Sequence, residues 1–257
     1  MQGGGSLKTS KLIEDLTEEA LKHEAPVQDV RVGVSWTGVL GKWLGLAKTY
    51  GVPAPHGLRV KDWGSLAITT TTELLRYAHS WNLIEASIGI AALNACIEPK
   101  GETGSNALDI LADKAQGKRV VVVGDFPYME KVKRAASEFW VLELDPFLQN
   151  PTNGIIASTA SEYVIPDSHV VAITGSTLIN KSLDRLLELT REAKAYTIVM
   201  GPSTPLSEVL FDYGVHLIAS VEVLQPNAIL ERISQGSGML TPNLCKGEVA
   251  FRVMEKP

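Results

Sequence analysis

The second half of the chain alternates short apolar runs with amphipathic stretches. The runs are rich in Val, Ile and Leu and cover residues 119–124, 140–144, 170–174, 197–200 and 216–220. Near-continuous apolar strands separated by helical patterns are typical of a parallel sheet covered on both faces. The pattern therefore predicts a Rossmann-like α/β domain over residues 113–257, in which residues 248–254 form a further edge strand.

The first half has a mixed pattern of helical and alternating segments. The predicted elements are an amphipathic helix, a β-hairpin and two further helices, over residues 10–24, 30–40, 73–80 and 83–97. This order predicts a smaller α+β domain over residues 10–112. The glycine-rich residues 1–9 are predicted to be a flexible leader.

Composition and charge narrow the class of protein. The net charge is -5 and the chain has no basic run, so no nucleic-acid partner is expected. The sequence holds neither an apolar run of about 18 residues nor a signal-peptide core, so we expect a cytoplasmic protein with no membrane partner. Cys96 and Cys245 lie far apart in the sequence and predict no disulfide framework. A homodimer is the expectation from base rates.

Two loops rich in glycine and hydroxyl side chains follow neighbouring predicted strands. Their residues are Thr174, Gly175, Ser176 and Thr177 in the first loop and Gly201, Pro202, Ser203 and Thr204 in the second. If the two strands are parallel neighbours, both loops lie at the carboxyl edge of the sheet, where open α/β sheets bind ligands. Backbone N–H groups at a helix start could hold a carboxylate, phosphate or phenolate oxygen there. The sequence therefore predicts a small-molecule site at these loops.

Helix capping is the alternative explanation of these hydroxyl groups. Thr204 precedes Pro205 as an N-cap would, and Thr177 is in place to cap the following helix. Asn180 falls within reach of the predicted cleft, whereas Lys181 is expected to be a solvated helix residue.

The turn after the first Rossmann-like strand argues against a dinucleotide. It contains Gly124 and Asp125, which supply only one glycine of the G-x-G-x-x-G fingerprint and a carboxylate that repels phosphate. No standard NAD or FAD site is therefore predicted. Glu143 ends the second strand, where an acid can bind a ribose or polyol hydroxyl, and a solvated strand end is the alternative.

Two further features lie outside these loops. Asn82 and Glu85 form an Asn-x-x-Glu capping-box pattern, and Glu85 could also point across the domain boundary as an acid or base. The five histidines, including His56 in a Pro/Gly-rich loop, do not pair at metal-ligand spacing. No direct metal site is predicted, so a metal could enter only as a chelate.

Several strings together resemble a known family. They are EASIGIAALNA at 85–95, VGDFP at 123–127, ITGSTLINK at 173–181, GPSTPL at 201–206 and LFDYG at 210–214. The chain is similar to the DUF364 family, named for heavy-metal chelation, preceded by its DUF4213 companion. The resemblance implies an enolase N-terminal-like fold before a Rossmann-like domain, with an active site between them. Asp125 stands where relatives carry His in Gly-His-Phe-Pro, which weakens any role for an imidazole.

The function implied by this resemblance is condensation or hydrolysis in the making of flavin-, pterin- or siderophore-like molecules, or the handling of metal chelates. Combined with the residues above, it predicts binding of a small oxygen-rich or metal-chelating molecule between the domains, with Glu85 as acid or base. The alternatives are a non-catalytic chelate carrier or sensor, and a SAM-dependent methyltransferase, whose Gly-rich first loop is missing here.

Overall fold

The computed structural model describes residues 9–50 and 60–257. It has the predicted mixed α/β architecture, with a three-stranded antiparallel sheet followed by an eight-stranded, largely parallel sheet. The core of the Pro/Gly-rich loop, with His56, lies outside the described residues, as does most of the leader. Among the described helices, none is long and apolar enough to cross a membrane.

The first half builds a three-stranded sheet and the helices that pack on it. Its elements are α1 (Lys11–Ala20), β1 (Asp29–Val32), β2 (Trp36–Leu40), β3 (Leu44–Lys48), α2 (Thr71–Leu75) and α3 (Leu83–Cys96). The strands form a meander in the order β1-β2-β3. Sequence patterning missed β3, because its small and apolar residues lack the alternation of a half-buried strand.

The second half supplies the larger sheet. Its strands are β4 (Glu102–Thr103), β5 (Arg119–Val123), β6 (Glu138–Glu143), β7 (Ile155–Ala157), β8 (Val170–Thr174), β9 (Tyr196–Met200), β10 (Leu217–Val223) and β11 (Val249–Glu255). Its helices are α4 (Ala107–Lys114), α5 (Glu130–Ala135), α6 (Ser161–Val164), α7 (Leu183–Glu192), α8 (Val209–Asp212) and α9 (Pro226–Ser234).

The order of strands in this sheet is β4-β11-β10-β9-β8-β5-β6-β7. The strands from β10 to β7 are parallel, and β11 is antiparallel to β10. The strand predicted at 248–254 is present as β11, but its predicted edge position was wrong, because β4 pairs with the outer side of β11. The chain runs from β5 outward to β7 and then returns to β8 on the other side of β5. This reversal creates a topological switch point between β5 and β8.

Helix α3 is the centre of the first half. It is apolar around its whole circumference and is buried after its first turn, as expected of a helix enclosed on all sides. Gly45 of β3 and Gly89 of α3 make this packing possible, because each faces backbone of the neighbouring element. A Cβ atom on Gly45 would overlap Ala91 O and lie 2.7 Å from Asn94 C.

The two halves are joined by one continuous apolar core and by polar contacts. The largest core cluster contains residues of α1, α3, β5, β8 and α7. Ser10 Oγ donates to Asp184 Oδ2 at 2.6 Å, and Ile233 of α9 packs against Gly38 of β2. The division of the chain after residue 112 stays a prediction; β4, which precedes it, pairs with the large sheet, and α4, which spans it, packs on that sheet.

Candidate functional site

The two hydroxyl-rich loops are neighbours, as predicted. Strands β8 and β9 are paired in parallel with Thr174 opposite Met200, so both loops leave the same edge of the sheet. The loops also touch, since a Cβ atom on Gly175 would lie 2.6 Å from Thr204 N. Only glycine allows this approach without moving the second loop.

The prediction that an α-helix starts directly after each loop was wrong. Gly175–Leu178 is a short 3-10 turn, and α7 begins only at Leu183. Residues 202–208 form no helix, so Thr204 caps nothing, and Thr177 Oγ1 donates to Thr174 O at 2.6 Å. An anion site built on helix N-termini therefore loses its structural basis, and the chemistry of these loops is that of their hydroxyl groups.

The second loop turns its side chains inward. Ser203 is 3% exposed and accepts a hydrogen bond from Lys48 N at 2.9 Å, which links the second loop to the end of β3. Pro202 and Thr204 line a cavity of about 30 Å³ between the two halves. This volume is that of about two water molecules, too small for an organic ligand. Gly201 alone remains at the edge of the sheet, at a φ of +108° that favours glycine.

The first loop carries a chain of hydroxyl groups. Thr174 Oγ1 and Ser176 Oγ are 3.0 Å apart, and the Tyr50 side chain lies near Ser176. Asn180 Nδ2 lies 3.5 Å from the hydroxyl oxygen of Tyr50, and contact of Asn180 with a ligand stays a prediction. Tyr50 follows β3 closely, and the first half thus contributes a phenol to the switch point.

Two carboxylates lie beside this hydroxyl chain, at the ends of β5 and β6. Glu143 accepts hydrogen bonds from Asp125 N at 3.0 Å and from Asp145 N at 2.9 Å. Partial desolvation, and then the charge of Glu143, raise the pKa of the carboxyl of Asp125, which remains exposed. Burial is also the main cause of a raised pKa at Tyr50, to which the charge of Glu143 adds.

Phe126 covers the strand ends from the face of the sheet opposite to Tyr50. A Cβ atom on Gly124, which has a φ of +94°, would lie 2.8 Å from Thr174 Cγ2 and 4.0 Å from the Phe126 ring. One on Gly201 would lie 3.7 Å from the same ring. Phe126 packs with the core beneath α4 and α5, whereas Tyr50 packs with the core shared with α3. The candidate site therefore lies between these two aromatic side chains.

Sequence reasoning missed Tyr50 and Phe126. A phenol that follows an apolar strand and precedes a Pro/Gly-rich loop was a usable signal for Tyr50. Phe126 carries no such signal, because a dinucleotide fingerprint at this turn depends on glycines and not on an aromatic ring.

Asn82 and Glu85 form a separate group at the start of α3. Asn82 Oδ1 accepts from Ile84 N at 3.1 Å, which makes it the helix N-cap. Glu85 accepts from Ser80 Oγ at 2.6 Å and from Lys61 N at 2.8 Å. These hydrogen bonds fix the preceding segment to the first turn of α3. A contact of Asn82 or Glu85 with a ligand stays a prediction.

Lys181 links this group to the second half and is not the solvated helix residue predicted. It has a φ of +63° between the 3-10 turn and α7, and its Nζ donates to Ser80 O at 2.5 Å and Ile179 O at 2.9 Å. Its ammonium group also lies 5.8 Å from the centre of the Trp81 ring. Burial lowers the pKa of Lys181 to about 8.

Lys181 should make stability depend on pH in the alkaline range. Between about pH 8 and pH 10.5, the unfolded chain holds a proton on this lysine that the folded chain has released. The free energy of unfolding should therefore rise with pH across this window, by about 2 kcal/mol after allowance for partial exposure. Lys181→Met should remove the rise, and exposed Lys118→Met should keep it. Urea unfolding at a series of pH values measures both, and an unchanged slope in Lys181→Met would exclude this assignment.

The carboxylates do not make a metal centre by themselves. Across residues 9–50 and 60–257, no group of three or more His, Cys, Asp or Glu side chains is placed to hold a metal ion. Asp125 and Glu143 offer two carboxylates, and the remaining polar groups beside them are hydroxyl and amide groups. This donor set does not fit a tightly held heavy-metal ion, which prefers thiolate or imidazole ligands.

Comparison with known proteins agrees with the fold. Residues 106–252 match the DUF364 family, and residues 13–97 match DUF4213; both are described as "Putative heavy-metal chelation". The chain belongs to the DUF364 family. This confirms the resemblance found in the sequence, including its order of a DUF4213 region before DUF364.

Three similar proteins are described without an activity. An uncharacterized protein of Methanocaldococcus jannaschii, MJ0500, is 25% identical over 163 residues, a match that spans 62% of each protein. DUF364 proteins of unknown function from Desulfitobacterium hafniense and Pyrococcus horikoshii have crystal structures that superpose with TM-scores of 0.75 and 0.77, at 23% and 22% identity. These alignments cover 95% and 96% of this chain and 99% of each of the others, and they show the shared fold.

Proposed function

We propose that this DUF364 protein binds a small, oxygen-rich molecule of metal-chelating type at the switch point between β5 and β8, under Tyr50. The observation that carries the proposal is the meeting of three hydroxyl groups and two carboxylates at the edge where open α/β sheets bind ligands. One hydroxyl comes from the other half of the protein, so the ligand would lie between the halves.

The polar groups at this place favour a ligand with several oxygens and little negative charge. Asp125 and Glu143 accept hydrogen bonds and repel anions, whereas Thr174, Ser176 and Tyr50 both donate and accept. A polyol, a hydroxylated ring or a hydroxamate offers matching groups. A free phosphate does not, because the helix starts predicted to hold it are replaced by a 3-10 turn and irregular chain.

The family description names heavy-metal chelation. We propose that a metal would be carried by the organic ligand and not bound directly by the protein. The described residues lack the donor set of a direct site, so the organic chelator would supply the ligands of any metal that enters. The protein would then recognise oxygen and hydroxyl groups of the chelator.

An enzyme of condensation or hydrolysis is the second candidate. It is favoured by Asp125, whose pKa is raised by burial and by Glu143, as suits a general acid or base. Glu85 remains a proposed acid or base on α3, although its oxygens already accept hydrogen bonds from Ser80 and Lys61. A carrier or sensor would need neither residue for chemistry.

Native mass spectrometry of the purified protein tests the proposal. We expect a retained small molecule, with or without a metal, that denaturation releases. Its mass should stay the same during incubation if the protein is a carrier and change if it is an enzyme. A protein that retains nothing, and that binds no hydroxylated or chelating compound in solution, would contradict the proposal.

A further inference from the structure

The small cavity between the two halves collects buried polar atoms that lack a partner. Its volume is about 30 Å³, and it is lined by β3 and the end of α3 on one side and by the second loop and β10 on the other. Trp43 Nε1, Asn94 Oδ1 and Thr204 Oγ1 are buried, belong to residues that line this cavity, and have no hydrogen-bond partner in the described part of the chain. Only Thr17 Oγ1 and Ser237 Oγ share this state elsewhere among the described residues.

Unpartnered polar atoms of this kind are unfavourable in a folded protein. An indole N–H, an amide oxygen and a hydroxyl group are all hydrated in the unfolded chain, so burying them without a partner lowers stability. Ordered water is the usual partner of buried polar groups that no protein atom reaches. One water needs about 10 to 15 Å³ of such a cavity, so there is room for about two.

The hydrogen-bonding character of these atoms is fixed by their surroundings. Asn94 Nδ2 donates to Leu46 O at 2.8 Å. A backbone carbonyl can only accept, so the nitrogen of this amide must face Leu46 and the unpartnered atom is the oxygen. The indole N–H of Trp43 can only donate. The residues around the cavity therefore offer one obligate donor, one obligate acceptor and a hydroxyl group that can do both.

This combination decides which species fits the cavity. A cation would be repelled by the N–H of Trp43, and an anion would be repelled by the amide oxygen of Asn94. Glu222 also lines the cavity, but its carboxylate accepts from Arg252 Nε at 2.8 Å and is already paired. The species must be neutral, able both to donate and to accept, and no larger than about 30 Å³, which is the description of water.

We infer that this cavity binds about two water molecules, which accept from Trp43 Nε1, donate to Asn94 Oδ1, bond Thr204 Oγ1 and thereby join the two halves of the protein. Trp43 and Asn94 belong to the first half, whereas Thr204 belongs to the second. The water molecules carry hydrogen bonds across a boundary at which these side chains do not bond each other. The inference is independent of the ligand proposed at the switch point.

A high-resolution crystal structure of the full chain tests the inference directly. We expect an ordered water molecule within about 2.7 to 3.2 Å of both Trp43 Nε1 and Asn94 Oδ1. Trp140 is an internal control, because its Nε1 donates to Glu138 Oε1 at 2.7 Å and should bind no buried water. A dry cavity, or an ion in place of the water, would overturn the inference.

Two threonine variants test the same water in solution. Thr204→Val replaces the hydroxyl with a methyl group of similar shape, so the water loses a partner and the ratio of folded to unfolded protein should fall about fivefold. Thr17→Val is the matched control, because Thr17 Oγ1 is also buried and unpartnered but Thr17 does not line the cavity. Its ratio should stay unchanged or rise. Urea unfolding measures both, and a Thr204→Val protein as stable as Thr17→Val would overturn the inference.

Discussion

Replacing Gly45 with alanine is expected to destabilise the protein by about 3 kcal/mol, the upper end of the usual cost of overpacking a core. The new methyl group would overlap Ala91 O and lie 2.7 Å from Asn94 C, and both are backbone atoms of α3. A side chain could rotate away, but a helix backbone must move as a unit. Strand β3 and helix α3 would then move apart, although they form the most extensive contact between two elements of the first half. Urea unfolding followed by tryptophan fluorescence measures the loss.

Gly238→Ala is the matched control, because a Cβ atom there would meet no atom within 4 Å. It should change the free energy of unfolding by no more than about 0.5 kcal/mol. If Gly45→Ala does not fold at all, Gly89→Ala provides a second case, since its methyl group would overlap the backbone of Ala78. Unfolding midpoints of both variants equal to that of Gly238→Ala would contradict the packing described for α3.

Glu143→Gln is expected to weaken binding of the retained molecule about 100-fold. The carboxylate accepts from Asp125 N and Asp145 N, and each hydrogen bond to a charged acceptor contributes about 1.5 kcal/mol or more. The glutamine amide would turn an NH₂ group toward one of these N–H donors. The turn after β5 would lose its anchor, and the ligand would lose an acceptor.

Native mass spectrometry and calorimetric titration with the released molecule measure this effect. Glu138→Gln is the control, because Glu138 lies at the opposite end of β6 in a surface ion pair with Arg119. Removing the charge of Glu143 should also lower the pKa of the Asp125 carboxyl toward its ordinary value, which NMR titration can follow. Unchanged occupancy in Glu143→Gln would place the ligand elsewhere.

Much of the larger fold could be predicted because its signals are local. Continuous apolar runs bounded by helical patterns predicted β5, β6, β8, β9 and β10, and the small loops after two of them indicated the carboxyl edge of the sheet. The short strands β4 and β7 were not predicted, because strands of two and three residues are too short to show an alternating pattern. Strand β3 was missed for a different reason: it is buried on both faces by α3 and α9, so its residues do not alternate.

The candidate site was predicted less completely, because its parts meet through contacts that no local pattern records. Tyr50 reaches Asn180 across 130 positions of sequence. Ser203 and Thr204 have the composition of ligand-binding residues, yet packing of the two halves turns them inward.

By itself, the sequence determined the strand-and-helix rhythm, the family and the loops at the edge of the sheet, since these depend on residue type and spacing. Only the tertiary structure decided that Lys181 is half-buried, that no helix begins at Thr204, and that Tyr50 lies beside Asn180 near the first loop. The physical reason is that the orientation of a hydroxyl group depends on its partners in space. For Tyr50 of the first half, the partner is Asn180 of the second half.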